Sequence, residues 1–202
     1  MLFYQTIKPA TLALLKSLQI LPVLKETRLV GGTALAMQLG HRVSIDLDFF
    51  GKIPVPSEVL RDYLSDNHRV SIIKEGRNIN IYEVDGIKVD FVNYRYDWID
   101  SPVVEDGLTL ASIKDIAAMK VNAIIGRGTK KDFVDLYFLL RHYSLAELLE
   151  LYFQKYPDGN SFIALKSISY FGDAESDPMP IMLEQEEWET MKNTIQEQLQ
   201  LF

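Results

Sequence analysis

No cysteine occurs among the 202 residues, which excludes disulfides, zinc–thiolate sites, iron–sulfur clusters and thiol nucleophiles together. Histidine is scarce: His41, His68 and His142 show no metal-ligand spacing and read as structural or surface residues. No apolar run reaches the roughly 18 residues that a membrane span needs. The opening MLFYQTIKPATLALLKSL is interrupted by Lys8 and Lys16 and lacks the order of a signal peptide. Internal repeats, low-complexity tracts and Gly/Ser linkers are missing too. What is there is 48% apolar and 24% charged, the balance of a globular chain able to bury a core without staples. The expectation is a soluble, cytoplasmic protein with no membrane partner.

The net charge of −7 is unevenly placed. Residues 1–141 hold 18 Lys+Arg against 17 Asp+Glu, whereas residues 142–202 hold 3 against 11. The near-neutral first part leaves room for an anionic partner. The acidic tail reads first as solvated surface, and second as a dock for a basic partner or a shield over a neighbouring basic surface.

Apolar spacing predicts a helix from Thr11 to Leu21, stopped by Pro22. Arg28–Val30 reads as a strand running into Gly31-Gly32-Thr33, and Ala34–Leu39 as a short helix closed by Gly40. SIDLDFF (Ser44–Phe50) alternates as a strand does, with Ile45, Leu47 and Phe49 toward the core. A helix over Pro56–Asn67 precedes strands at Val70–Ile73, Ile79–Val84 and Ile87–Tyr94, the last two joined by the hairpin signal Asp85-Gly86. After Pro102 the pattern turns helical. Ser112…Asp115 and Thr129…Asp132 fit capping boxes, and further helices are expected near Leu145–Tyr156 and Glu184–Leu199. The class is therefore α+β: a small mixed β-sheet core over residues 1–105, with a helical C-terminal lobe over 106–202 packed against it.

Asp46 and Asp48 stand out chemically. Residues two apart on a strand share a face, about 6.6 Å apart along the chain, and two rigidly spaced carboxylates suit hard divalent cations such as Mg²⁺. The turn Gly31-Gly32-Thr33, between strand and helix, suits a phosphate, since backbone N–H groups converge there and glycine lets the ligand approach. Thr33 adds a hydroxyl, though it serves equally as a helix cap. Asp90 completes a carboxylate triad if its strand lies beside SIDLDFF. Lys114, Lys120, Arg127, Lys130 and Lys131 form the most basic stretch. Lys120, among small and apolar neighbours, suits a half-buried clamp on a triphosphate or on leaving pyrophosphate. Asp132 reads as a cap, while Asp135 either orients Lys131 or acts at the site. Arg42 and Ser44 either touch phosphate or hold the loop.

Gly31-Gly-Thr-Ala-Leu followed by Gly40-His-Arg-Val-Ser-Ile-Asp-Leu-Asp-Phe-Phe50 resembles the signature of AbiEii-type nucleotidyltransferase toxins, within the polymerase-beta-like nucleotidyltransferase superfamily. Ala118-Met-Lys120, Arg127 and Lys131-Asp-Phe-Val-Asp-Leu-Tyr137 resemble the family's later motif. The likeness spans about residues 28 to 141, and the last 60 residues carry no recognisable motif. The resemblance implies a nucleotidyltransferase core in which Asp46 and Asp48 bind metal. Gly32 and Thr33 would then contact phosphate, Lys120 would be the essential lysine and Asp135 the downstream essential acid. Asp90 would match the third strand carboxylate. Thr33 replaces the usual serine and keeps the donor.

The leading expectation is thus a Mg²⁺-dependent nucleotidyltransferase, the toxin of a toxin–antitoxin pair. By the resemblance its acceptor is an RNA such as tRNA, and a cognate antitoxin is its partner. Arg42, Ser44 and Lys131 join Gly32 and Thr33 as candidate NTP contacts. Two alternatives stand beside it: transfer of AMP to a protein, and a non-catalytic nucleotide-binding regulatory module.

Overall fold

The computed structural model describes all 202 residues. Helix α1 (Pro9–Gln19) leads to β1 (Thr27–Leu29), α2 (Gly31–Leu39), β2 (Leu47–Gly51) and α3 (Ser57–Ser65). Strands β3 (Val70–Lys74), β4 (Ile79–Val84), β5 (Ile87–Asn93), β6 (Val103–Glu105) and β7 (Leu108–Leu110) follow. Helices α4 (Ile113–Gly126), α5 (Lys130–Leu140), α6 (Leu145–Lys155), α7 (Ser161–Ile168) and α8 (Trp188–Leu199) complete the chain. The strands form one mixed sheet in the order β3-β4-β5-β2-β1-β7-β6.

Local chemistry accounts for the turns that set this order. Asp85 and Gly86 both take positive φ, 51° and 81°, the backbone of a two-residue turn matched to the strand twist. Asp106-Gly107 repeats the device at 52° and 78° and joins β6 to β7. This second hairpin was not expected, because its strands are only three residues long and show little alternation. It lies across the expected 105/106 division, and β7 pairs in parallel with β1, so the sheet continues to residue 110. A single cluster of 42 buried apolar residues runs from Leu2 to Ile195 and joins sheet to helices.

Other boundaries also move. β2 starts at Leu47, not Ser44, because the preceding residues bond elsewhere: Ser44 N–H donates to Thr6 O and Val43 N–H to Ile181 O, each at 2.8 Å. Ile45, expected in the core, is 56% exposed. Ser112 caps α4, accepting from Asp115 N–H at 3.1 Å. Thr129 does not cap α5; its hydroxyl donates to Asp132 Oδ2 at 2.6 Å. Helix α7 was not expected, and Asn160 caps it through Ile163 N–H. Helix α8 opens four residues later than the spacing suggested, and its Met191 and Ile195 are buried. The acidic tail is therefore not simply a solvated surface.

Candidate active site

A cleft of about 520 Å³ opens between the edge of β2 and β5 and the helical half. On the sheet side, β2 and β5 run parallel with Asp48 directly opposite Asp90. Leu47, Phe49, Val89 and Phe91 alternate with these acids and are fully buried, so the core anchors the strands while Asp48 and Asp90 line the cleft. Asp46, one residue before β2, lines it too.

Gly31 opens α2 at φ +68°, and a Cβ there would collide with Asp48 Oδ2. A Cβ on Gly32 would collide with Arg42 Nη2. Both glycines are needed for close approach, and Gly31 for the turn as well. No side chain caps α2, so its first N–H groups are left for a ligand at the cleft. Thr33, expected on phosphate, is instead 1% exposed. Its hydroxyl donates to Asp46 O and takes a bond from the Ser44 hydroxyl at 2.8 Å. It therefore fixes the Asp46 main chain, while Ser44 faces the cleft.

The helical side is a dense ion cluster. Arg42 grips Asp135 with two bonds of 2.7 and 2.8 Å, and His41 Nε2 lies 2.8 Å from Asp135 Oδ1. Lys120 reaches Asp135 at 2.5 Å and Asp132 at 3.1 Å. Arg127 holds Asp132 at 2.9 and 3.1 Å. Burial opposes ionisation of Asp135, but the Arg42 and Lys120 charges outweigh it and hold the carboxyl well below the usual range. Asp132, also buried, is held low by Lys120 and Arg127.

The geometry sorts the candidates. Lys120, 4% exposed, lines the cleft and stands on the buried acids. Asp135 is fully buried, so it positions Lys120 and Arg42 and meets no ligand, and it does not pair with Lys131. Asp132 is an ion-pair hub, not merely a cap. Arg42 holds the loop through Asp135 and Val43 O with one edge toward Gly32. Lys131 lies 4.0 Å from Asp46 Oδ2. Sequence reasoning gave no role to Lys88, whose Nζ sits 2.8 Å from Asp90 Oδ1; its place two residues before Asp90 was the available signal. It also missed residues 177–181, which border the cleft.

The profile of a family described as "Nucleotidyl transferase AbiEii toxin, Type IV TA system" matches residues 13–202. The chain belongs to the AbiEii nucleotidyltransferase toxin family. The match includes the final 60 residues, where no motif was recognised. The chain is 40% identical over 155 residues to the uncharacterized protein aq_aa25 of Aquifex aeolicus (strain VF5), covering 74% of this chain and 75% of that one. The fold resembles JHP933 of Helicobacter pylori, with TM-score 0.61, 23% identity and coverage of 96% and 92% of the two chains. It also resembles MenT4, nucleotidyltransferase toxin Rv2826c of Mycobacterium tuberculosis H37Rv, with TM-score 0.60, 16% identity and coverage of 93% and 80%.

AbiEii membership makes the chain a nucleotidyltransferase with a nucleotide substrate and an antitoxin partner. No helix is long and apolar enough to cross a membrane. Whether the AbiEii acids suit a divalent cation is decided by their own state. Burial, with Asp90 beside it, pushes the Asp48 carboxyl up to about 6. Asp90 Oδ1 is buried and has Lys88 Nζ, 2.8 Å away, as its one charged partner. Under-neutralised oxygen ligands of this kind fit a hard cation. No three acidic or histidine side chains converge as a preformed cage.

Proposed function

We propose that this AbiEii protein transfers a nucleotidyl group from an NTP to a hydroxyl of an RNA such as tRNA, in the cytoplasm and with Mg²⁺. The observation that carries the reading is the facing arrangement of Asp46, Asp48 and Asp90 on one wall, Lys120 on the other, and the uncapped start of α2 between them. Asp46 and Asp48 would hold the cation, with Asp90 completing the acidic set. The bound cation supplies Lewis-acid polarisation of the phosphoryl oxygens.

The chain's own residues do the positioning. The N–H groups of Gly31 and Gly32, with Lys131, hold the triphosphate. The acceptor hydroxyl oxygen bonds to the α-phosphorus as the bond to the α–β bridging oxygen breaks, and pyrophosphate leaves. Asp90, paired only with Lys88, takes the hydroxyl proton. Lys120 and Arg127 stabilise the charge that builds on the leaving pyrophosphate, and the buried acids keep both cations aimed.

The test is incubation of the purified protein with Mg²⁺, each labelled NTP, total RNA and cell protein, beside Asp46→Ala and Lys120→Ala. The expected result is label in an RNA band with one NTP, reduced about 10²- to 10³-fold in both variants. Label in protein would move the acceptor to a side chain. No label, with NTP bound equally by all three proteins, would leave a binding module.

A further inference from the structure

The C-terminal segment past α7 crosses the mouth of the cleft as a strap tied at both ends. At one end Lys130 Nζ donates to Asp177 O at 2.6 Å and to Glu175 O at 3.1 Å, and Lys130 N–H donates to Asp177 Oδ2 at 3.0 Å. At the other, Val43 N–H donates to Ile181 O, and Leu183 and Glu184 N–H both donate to His41 O at 2.9 and 3.1 Å. Arg42 and Met182 form an antiparallel bridge. Pro178 and Pro180 stiffen the span between these ties, since each ring fixes φ.

The strap holds large apolar side chains in the open. Met179 is 37% exposed and Ile181 70%, and Ile45 on the facing lip is 56% exposed. All three border a cleft whose other large side chains are mostly carboxylate, lysine and arginine. Exposed apolar surface rimmed by charge marks a place where an apolar ligand face is received. A nucleoside triphosphate has the same two-part chemistry: a charged phosphate chain and a flat base with an apolar face. The charged wall offers the base little to lie on, and the strap offers the phosphates few donors, the N–H groups of Met179 and Ile181.

We infer that Ile45, Met179 and Ile181 form the seat for the nucleobase of the incoming NTP, an inference that rests on the proposed nucleotidyl transfer. Contact is made through the ring face, with the Met179 sulfur against the π-system. Edge selection follows from the prolines. Pro178 and Pro180 have no N–H, and the carbonyls of residues 178–180 accept no backbone hydrogen bond. The strap edge is therefore rich in acceptors and favours bases with an exocyclic amino group over uracil. The final 60 residues thereby acquire a role at the site.

The probes are non-hydrolysable analogues of the four NTPs and inorganic tripolyphosphate, titrated into the full chain, Met179→Ala, Ile181→Ala and the double variant. All three side chains are surface-exposed, and melting temperatures check that the variants fold. Each single change is expected to weaken the preferred analogue about threefold to fivefold and the double change tenfold or more, as loss of half-buried apolar contact implies. Tripolyphosphate binding should stay within twofold, and in the transfer assay KM for NTP should rise with kcat within twofold. The uridine analogue should bind about tenfold more weakly than the best of the others.

Equal weakening of tripolyphosphate and analogues would overturn the seat, making the strap a brace for the phosphate site. Unchanged analogue binding with a raised KM for the acceptor would overturn it in favour of the acceptor's terminal base. A wild type that binds tripolyphosphate as well as any analogue would overturn the seat alone. A wild type that binds neither and transfers no label would overturn the nucleotidyl-transfer reading as well.

Discussion

Asp48 is half-buried at the cleft and Asp135 is fully buried behind it, and their charges are supported in opposite ways. Asp135 receives two bonds from Arg42, an ion pair from Lys120 and a contact from His41. Neighbouring Asp132 receives Lys120, Arg127 and Thr129. On the sheet side, Asp46 has only Lys131 at 4.0 Å and Asp90 only Lys88 at 2.8 Å. One set is held well below the usual carboxylate range, whereas Asp48 is pushed up to about 6. Buried charge with partners is scaffolding. Charge that lines the cleft with few partners is affinity kept for something that arrives later.

The largest break in this contrast is expected from Asp135→Asn. It leaves Arg42 buried without its counter-charge and Lys120 with only Asp132, and removing one partner of such a network costs about 3–5 kcal/mol. Urea unfolding should show that loss, and activity should fall with it, because Lys120 and the edge of Arg42 beside Gly32 lose their anchor. An unchanged midpoint would sink the scaffolding role. Gly31→Ala comes next. Forcing a Cβ into the left-handed region costs about 1–2 kcal/mol, and the Cβ would also push Asp48 out of line. Activity should therefore drop further than the modest fall in melting temperature, and an active Gly31→Ala protein would show that the close approach is dispensable.

The two sides also differ in how far the sequence reveals them. The sheet side is local: DxD, the glycine turn and the Asp85-Gly86 hairpin carry their own periodicity and turn chemistry. Even the pairing of Asp48 with Asp90 follows once two neighbouring apolar strands are set in parallel. The helical side is not local. That Asp135 answers Arg42 and not Lys131 depends on packing α5 against the loop at residues 41–43, and the i,i+4 spacing pointed to the wrong partner. Thr33 was misplaced for a related reason, since its hydroxyl is taken by the Asp46 carbonyl thirteen residues on. The strap was hidden altogether, because two prolines, a methionine and an isoleucine have no meaning until Lys130 and His41 pin them across the cleft.

The smallest expected effect is also the most discriminating, because its sign differs between the two sides. Asp48 in the folded chain binds its proton up to about 6, against an ordinary value of 3.8. Between these values the folded state holds more protons than the unfolded one, so this group's contribution to stability falls as pH rises from about 4 to 6. Asp132 and Asp135 are shifted the other way. Their contribution is complete above about 4 and is lost only as pH falls further. Asp48→Asn should therefore be more stable than the wild type by about 1 kcal/mol at pH 7.5 and no more stable at pH 4. The difference between the two proteins should open across that interval. Adding Mg²⁺ at pH 7.5 should raise the melting temperature of the wild type and not that of Asp48→Asn, with the rise fading below about pH 6 as protons compete for the same oxygens. Parallel stability curves from pH 4 to 8, or an equal Mg²⁺ response in both proteins, would place Asp48 among the scaffolding acids and remove the contrast.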